Sequence, residues 1–300
     1  MIRVTQSRQA GLALQAVASA RVRLQQAQTV AMSGQRVAKP SDDPAAAARS
    51  RLLGELEARA ESHRTTAQYG RSRLETADQA LSEAGNVLVR ARQLATAMAN
   101  GTMSAAERTA AATEIGQLRR AMVDLVNTQH GDEYVFAHVD TRSPPYDEGA
   151  GFTYDVDTYA DVREAEVGPT QRVEIGASGS DAFAQRAATP GSVDVIAVLA
   201  QLEANLNAND IAGIQSDIDQ VRTAFEQVLG ERTRTGVRME QLQRADESAA
   251  QTQGVYTRLR SDLVDADAAE AFSRLSLAEN TMQAAVTVAA RVLGPSLLDT

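Results

Sequence analysis

The chain has only three histidines, His63, His130 and His138, and no cysteine. Disulfides and thiolate metal sites are therefore excluded. His130, Asp132, Glu133 and His138 can be drawn as a metal-ligand cluster. Their spacing matches neither a His-Glu-x-x-His helix nor another strong ligand pattern, and polar turn residues beside a strand describe them better. No metal and no cofactor is expected. His63 falls on a hydrophobic seam and reads as a packed helix residue. The Asp42–Asp43 pair has the form of an acid/base pair, but capping and turn formation explain it better. No serine sits in a Gly-x-Ser-x-Gly elbow, and Gly149-Ala150-Gly151 lacks the lysine and following helix of a phosphate loop. No catalytic residue is assigned, and the reading is of a protein that is not an enzyme.

The tract from Glu231 to Arg238, with Arg244 beyond it, is rich in arginine. It has no interleaved aromatics on which bases could stack, so a salt-bridged helix face is expected rather than a nucleic-acid site. No apolar run reaches the roughly 18 residues of a membrane span. Met1 to Gln15 contains no continuous apolar core of signal-peptide type. A membrane partner and a cleaved signal are therefore not expected.

Composition and periodicity describe the scaffold. Of the 300 residues only 4% are aromatic, and there is no Trp. Alanine and leucine dominate, which suits long helices packed side by side. Residues 1–44 are read as a terminal helix and loop, with Ala10, Leu14, Val17, Leu24 and Ala31 as its stripe and Arg21 and Gln28 interrupting it. Gly34 is placed to end that helix, Pro40 and Pro44 forbid its continuation, and Asp43 caps the next helix with Pro44 at its first position. Residues 45–130 hold a sustained heptad repeat from Leu56 to Met98, then a helix opened by the capping box Ser104-Ala105-Ala106-Glu107.

Residues 131–190 carry twelve acids against four bases, and seven of the eleven aromatics. Alternation over 152–156 and 171–175 marks short strands, so a small β-rich outer domain is expected. Residues 191–265 return to helix, capped at Ser192, with a second long seam from Ile214 to Leu263. Residues 266–300 are read as a C-terminal coiled-coil segment, with a last helix over about 266–293 carrying Leu275, Ala278, Met282, Ala285, Ala289 and Val292 and ended by Gly294-Pro295. The fold class is mainly α: a long antiparallel helical bundle or coiled coil with a β insert. The stripes at both ends fit terminal helices that pair with each other or with copies of the chain.

Three motifs resemble the bacterial flagellin superfamily, and within it the flagellin-like subunits of the hook–filament junction. The first is Gly34-Gln35-Arg36-Val37 followed by Pro40-Ser41-Asp42-Asp43-Pro44-Ala45-Ala46-Ala47. The second is Tyr134-Val135-Phe136-Ala137, followed by Thr141 and Pro145-Tyr146. The third is the Gln283-Ala284-Ala285 helix ending in Ser296-Leu297-Leu298-Asp299. The Asn-Thr-x-Phe-Asn-Gly pattern of filament flagellins is missing. The resemblance covers about 1–146 and 192–300, and departs from the family at His138 and Val156, where glycine is usual.

The resemblance implies a structural adaptor that joins hook to filament. It would be exported unfolded by the flagellar type III apparatus without a cleaved signal, and would stand outside the cell. Its implied partners are copies of itself in a ring, a hook-side junction protein, filament flagellin and an export chaperone. Leu14, Val17, Leu24, Leu275, Met282, Ala285, Ala289 and Val292 are the expected assembly residues. Gly34, Arg36, Pro40, Ser41, Asp42, Asp43 and Pro44 are the expected structural loop. The alternatives are a filament flagellin of the same fold and a self-contained cytoplasmic coiled-coil adaptor.

Overall fold

A computed structural model describes residues 2–137, 141–153, 156, 163–187 and 189–293. His138, residues 154–155 of the expected strand 152–156, the Gly294-Pro295 helix stop and the segment 296–299 lie outside the described residues. The helices are α1 (Ile2–Ser33), α2 (Pro44–Met98), α3 (Ala105–Val126), α4 (Gly179–Phe183), α5 (Val195–Asn207), α6 (Ile211–Val264) and α7 (Ala268–Leu293). Among the described residues, six short strands lie between α3 and α4: β1 (Gln129–His130), β2 (Glu133–Tyr134), β3 (Tyr146–Asp147), β4 (Gly151–Phe152), β5 (Glu164–Glu166) and β6 (Arg172–Glu174). The chain divides into one compact unit of residues 1–59 and 252–300 and another of 60–251.

In the second unit, α2 and α6 run antiparallel. As α2 advances from Arg64 to Asp78, its charged partners on α6 recede from Asp246 to Arg232. The heptad seam of α2 faces inward: Ala67, Leu74, Ala77, Leu81, Ala84, Leu88, Ala91 and Ala95 are each at most 1% exposed. Two polar residues on the α6 seam, Arg232 and Asp246, are matched from α2. Arg232 donates to Asp78, and Asp246 accepts from Arg64 and Gln68. The α3 and α5 helices pack closely, with Gly116 of α3 against the Glu203 carboxylate. Ile115, Met122, Leu199, Leu202 and Leu206 fill the space with no exposure.

Caps follow local chemistry. The Ser104 capping box forms with both of its bonds. The α5 cap is Asp194, not Ser192: Asp194 Oδ1 accepts from Ile196 and Ala197, while Ser192 Oγ is held in the preceding loop by Arg186. A carboxylate reaching two free N–H groups complements the helix dipole better than a hydroxyl two residues earlier. Arg108, 2% exposed, donates to the carbonyls of Met98 and Asn100 and to Asn209 Oδ1, which satisfies the end of α2.

The strands form three separate antiparallel pairs, β1–β2, β3–β4 and β5–β6. Among the described residues they share no sheet, and their apolar side chains enter the helical core. Phe136 and Phe183 meet edge to face at 5.1 Å within the main cluster. Val173 and Ile175 join Ala67, Leu74, Leu242 and Ala245 in a second cluster. Gly70 makes that approach possible, since a Cβ there would lie 2.4 Å from Ile175 Cγ2.

In the first unit, α1 lies along α7. The backbone N–H of Ala266 donates to the carbonyl of Gly34, so the end of α1 meets the start of α7 and the two helices run antiparallel.

Candidate assembly interface

The loop motif is built around the end of α6 and the link to α7, residues 263–266, which it meets across most of the chain. Gly34 ends α1 with φ +69°, a conformation glycine takes without strain. Gln35 then forms an antiparallel bridge with Asp265. The N–H groups of Arg36 and Val37 both donate to the carbonyl of Val264, at 2.7 and 3.2 Å. The Arg36 guanidinium adds a bond to the carbonyl of Leu263 at 2.6 Å, and a looser ion contact to Asp43 at 3.9 Å. These donors satisfy carbonyls that the end of α6 leaves free. Val37, 7% exposed, closes the junction from the apolar side.

Both aspartates serve the backbone. Asp42 Oδ2 accepts from the N–H of Lys39 at 2.8 Å, across the turn that contains Pro40 and Ser41. Asp43 Oδ1 accepts from the N–H of Ala46 at 2.9 Å and so caps α2, which begins at Pro44. Loop closure and helix capping account for every polar atom of this motif that the structure pairs.

The terminal hairpin carries the expected stripe on α7 as read. Leu275, Ala278, Met282, Ala285 and Val292 are half-buried, and Ala271 and Ala289 are buried. On α1 the inward stripe is Ala10, Ala13, Val17, Ala20, Leu24, Ala27 and Ala31. Val17 and Leu24 lie in it, whereas Leu14 points out at 56% exposure. Arg21 and Gln28 are exposed with Leu14, so they do not interrupt the seam. Alanines at 13, 20 and 27 take the places that larger residues were expected to fill. Small side chains there let the two helices approach closely.

The outward surface of the hairpin carries large apolar residues. Leu12, Leu14, Val22 and Met32 on α1, and Phe272, Leu277, Val286 and Val288 on α7, are between 47% and 88% exposed. Single exposed apolar residues are ordinary, but eight of them among the described residues of one hairpin present a surface of the kind that another chain covers. By sequence α1 contributes Arg3, Arg8, Arg21 and Arg23 and no acid, while α7 pairs Arg274 with Glu270.

The other candidate sites are occupied by internal bonds. Glu133 accepts from Tyr69 Oη and Arg73 Nη1 at 3.0 Å each, and both of its oxygens accept from Arg163. Burial pushes this carboxyl up, but the Tyr69 hydrogen bond and the Arg163 and Arg73 guanidiniums outweigh it and hold it below the usual range. His130 Nδ1 lies 3.0 Å from Thr76 Oγ1, and His63 Nδ1 lies 3.4 Å from the Glu166 carbonyl. Among the described residues no group of three or more His, Asp or Glu is placed to hold a metal. In the arginine tract, Arg234 and Arg238 converge on the fully buried Glu231, whose Oε1 also accepts from the N–H of Ser178. None of the described helices is long and apolar enough to cross a membrane.

Residues 7–141 match the bacterial flagellin N-terminal helical region, and residues 218–298 match the bacterial flagellin C-terminal helical region. Together these cover more than two thirds of the chain. The chain is 25% identical over 287 residues to flagellar hook-associated protein 3 of Escherichia coli K12, covering 88% of this chain and 89% of that one. It is 23% identical over 285 residues to the protein of the same name from Salmonella typhimurium, with the same coverage of 88% and 89%. Its fold matches a solved flagellar hook-associated protein of Vibrio parahaemolyticus with a TM-score of 0.64 at 18% identity, covering 75% of this chain and all of that one. It also matches flagellar hook associated protein-3 from Legionella pneumophila with a TM-score of 0.62 at 14% identity, covering 71% and 98%. The two matched regions, residues 7–141 and 218–298, place this chain in the bacterial flagellin family.

Proposed function

We propose that this chain is a structural subunit of the bacterial flagellum that joins hook to filament and assembles through its terminal hairpin. The observation that carries the assembly reading is the set of eight large apolar residues left exposed on α1 and α7. At roughly 25 cal/mol per Å² of apolar area, covering such a surface is the main driving force available to this helix pair. Relatives named as hook-associated proteins, similar over nearly nine tenths of the chain, support this location.

In this reading, copies form a ring. The hook-side neighbour is another junction protein, the distal neighbour is filament flagellin, and an export chaperone holds the hairpin before secretion. Leu14, exposed on α1, belongs to the face that meets neighbours. Val17, Leu24, Leu275, Met282, Ala285, Ala289 and Val292 hold the hairpin together beneath it. The segment 34–44 fixes where that hairpin starts.

The test replaces Leu14, Phe272 and Leu277 together by serine. The variant is expected to keep its helical circular dichroism and to be lost from the junction, leaving hooks without filaments. Normal filaments on cells producing only this variant would refute the assembly role of the hairpin.

A further inference from the structure

The exposed apolar surface of the hairpin is not uniform: it has two unlike sides. On one side, Arg23, Gln26 and Val30 of α1 and Arg274, Leu277 and Thr281 of α7 border a groove of about 330 Å³. Its floor is the small residues Ala27, Ala271 and Ala278. On the opposite flank of α7, Phe272, Glu279 and Val286 recur at seven-residue intervals and so line up along the helix. Phe272 is 61% exposed and Val286 47%. One side is a groove floored by alanine and edged by arginine. The other is a ridge of large apolar residues with a carboxylate at its middle.

The charges agree with the shapes. Arg274 is paired with Glu270 within the chain, but neither Arg23 nor Glu279 has an ion-pair partner among the described residues. The levels agree as well. Arg23 and Ala278 border the same groove, and Glu279 is the next residue after Ala278. A copy turned about an axis parallel to the hairpin therefore brings its Glu279 to the height of Arg23 without sliding along the helix. The same turn brings Phe272 to the height of Ala271 and Val30.

The geometry points to a heterologous contact between copies of this chain: the Phe272–Glu279–Val286 ridge of one copy sits in the Arg23–Leu277 groove of the next. This rests on the reading of the hairpin as the assembly surface and says which side meets which. An isologous contact is disfavoured, because groove on groove sets Arg23 and Arg274 against their own copies, and like charges at close range repel. A groove and a ridge on opposite sides of one element repeat around an axis, which closes a ring or continues a helix.

The chain has no cysteine, so introduced thiols report without background. Arg23→Cys and Glu279→Cys chains are co-produced in cells that depend on them for flagella, and the isolated flagella are oxidised. The mixed 23–279 cross-link is expected to exceed either homodimer about tenfold, and the doubly substituted chain to give a ladder. Homodimers through Arg23→Cys would overturn the proposal by showing groove on groove. Flagellated cells with no 23–279 cross-link would overturn it too. In that case single cysteines at Leu14 and Leu277 separate the two failures: cross-links there leave the hairpin as the interface with its sides wrongly matched, and none at any position removes the hairpin reading itself. As a second line, Arg23→Glu alone and Glu279→Arg alone should each shrink the swimming halo at least twofold, and the double exchange should restore it. A double variant as impaired as the worse single one would count against the pairing.

Discussion

The Arg36 guanidinium donates to the carbonyl oxygen of Leu263 at 2.6 Å across a separation of 227 residues. Its backbone N–H meets the carbonyl of Val264 beside it. One residue thereby closes the end of α6, anchors the loop that leads into α2 and sets the point at which α1 and α7 begin to run together. Arg36→Ala is expected to lose about 1–2 kcal/mol locally, the range for a charge-assisted bond to a carbonyl at an exposed site. Amide exchange at residues 264–266 should rise while that of 74–95 stays unchanged. Equal protection at 264–266 in the two proteins would show that the guanidinium contributes nothing there.

Glu133 makes stability depend on acid. Its folded pKa lies below the ordinary value, with the opposing push of burial outweighed by Tyr69, Arg163 and Arg73. A depressed carboxyl binds its proton less readily in the folded chain than in the unfolded one. It therefore contributes stability that is fully present above the unfolded glutamate pKa and is lost as pH falls through the folded value. Glu133→Gln should lower the melting temperature at pH 7 and lose less of it between pH 5 and pH 3 than the parent chain does. Parallel curves over that interval would remove Glu133 from the acid response. Arg73, 1% exposed and with its own pKa lowered by burial, is the partner left most exposed to cost when the carboxylate goes.

What the sequence made legible depended on how far the deciding contact lies along the chain. The α2 seam from Leu56 to Met98 was readable because a sustained heptad repeat, with His63 as its one polar member, needs only local counting, and all of it is buried or half-buried. The α7 stripe was readable for the same reason. On α1 the larger Leu14 drew attention, yet the closer approach of two helices selects Ala13 and Ala20, and size alone does not tell which of two neighbouring stripes faces the partner. The loop from Gly34 to Pro44 announced its turn and caps through glycine, proline and aspartate. Nothing in it announced Leu263 to Ala266, because backbone carbonyls have no sequence signature. The same holds for Glu133: the sequence reads it as a polar turn residue beside a strand, and only the fold brings Tyr69, Arg73 and Arg163 to its oxygens.

Asp217 should behave in the opposite sense to Glu133. It lies in α6 at 2% exposure and accepts from Asn205 Nδ2 at 2.7 Å. Burial pushes its carboxyl up, Asp210 adds to the push, and the Asn205 bond only partly opposes it. An acid with a raised folded pKa binds its proton more readily when folded, so its charge costs stability at neutral pH and that cost is relieved as pH falls through the raised value. Asp217→Asn keeps an acceptor for Asn205 and removes the buried charge. The variant is expected to melt at least as high as the parent at pH 7, with a gap that narrows toward pH 4. A lower melting temperature at pH 7 would mean that the carboxylate is worth more to Asn205 than its burial costs.

Two helix glycines separate packing from propensity. At Gly70 of α2 an added Cβ meets Ile175 Cγ2 at 2.4 Å and Leu242 Cδ1 at 3.2 Å, inside the smaller apolar cluster. At Gly254 of α6 it meets nothing within 4 Å. Neither is at a helix end, so alanine improves helix propensity at both by about 1 kcal/mol. At Gly254 that gain stands alone, and Gly254→Ala should raise stability by about that amount in urea unfolding. At Gly70 it is set against displacement of Ile175 and the β5–β6 pair that carries it, for which overpacking costs are about 1–3 kcal/mol. Gly70→Ala should therefore be net destabilising and should raise amide exchange at residues 172–175. If both substitutions stabilised alike, Ile175 would be free to give way, and the close approach at Gly70 would not be what holds the β5–β6 pair on α2.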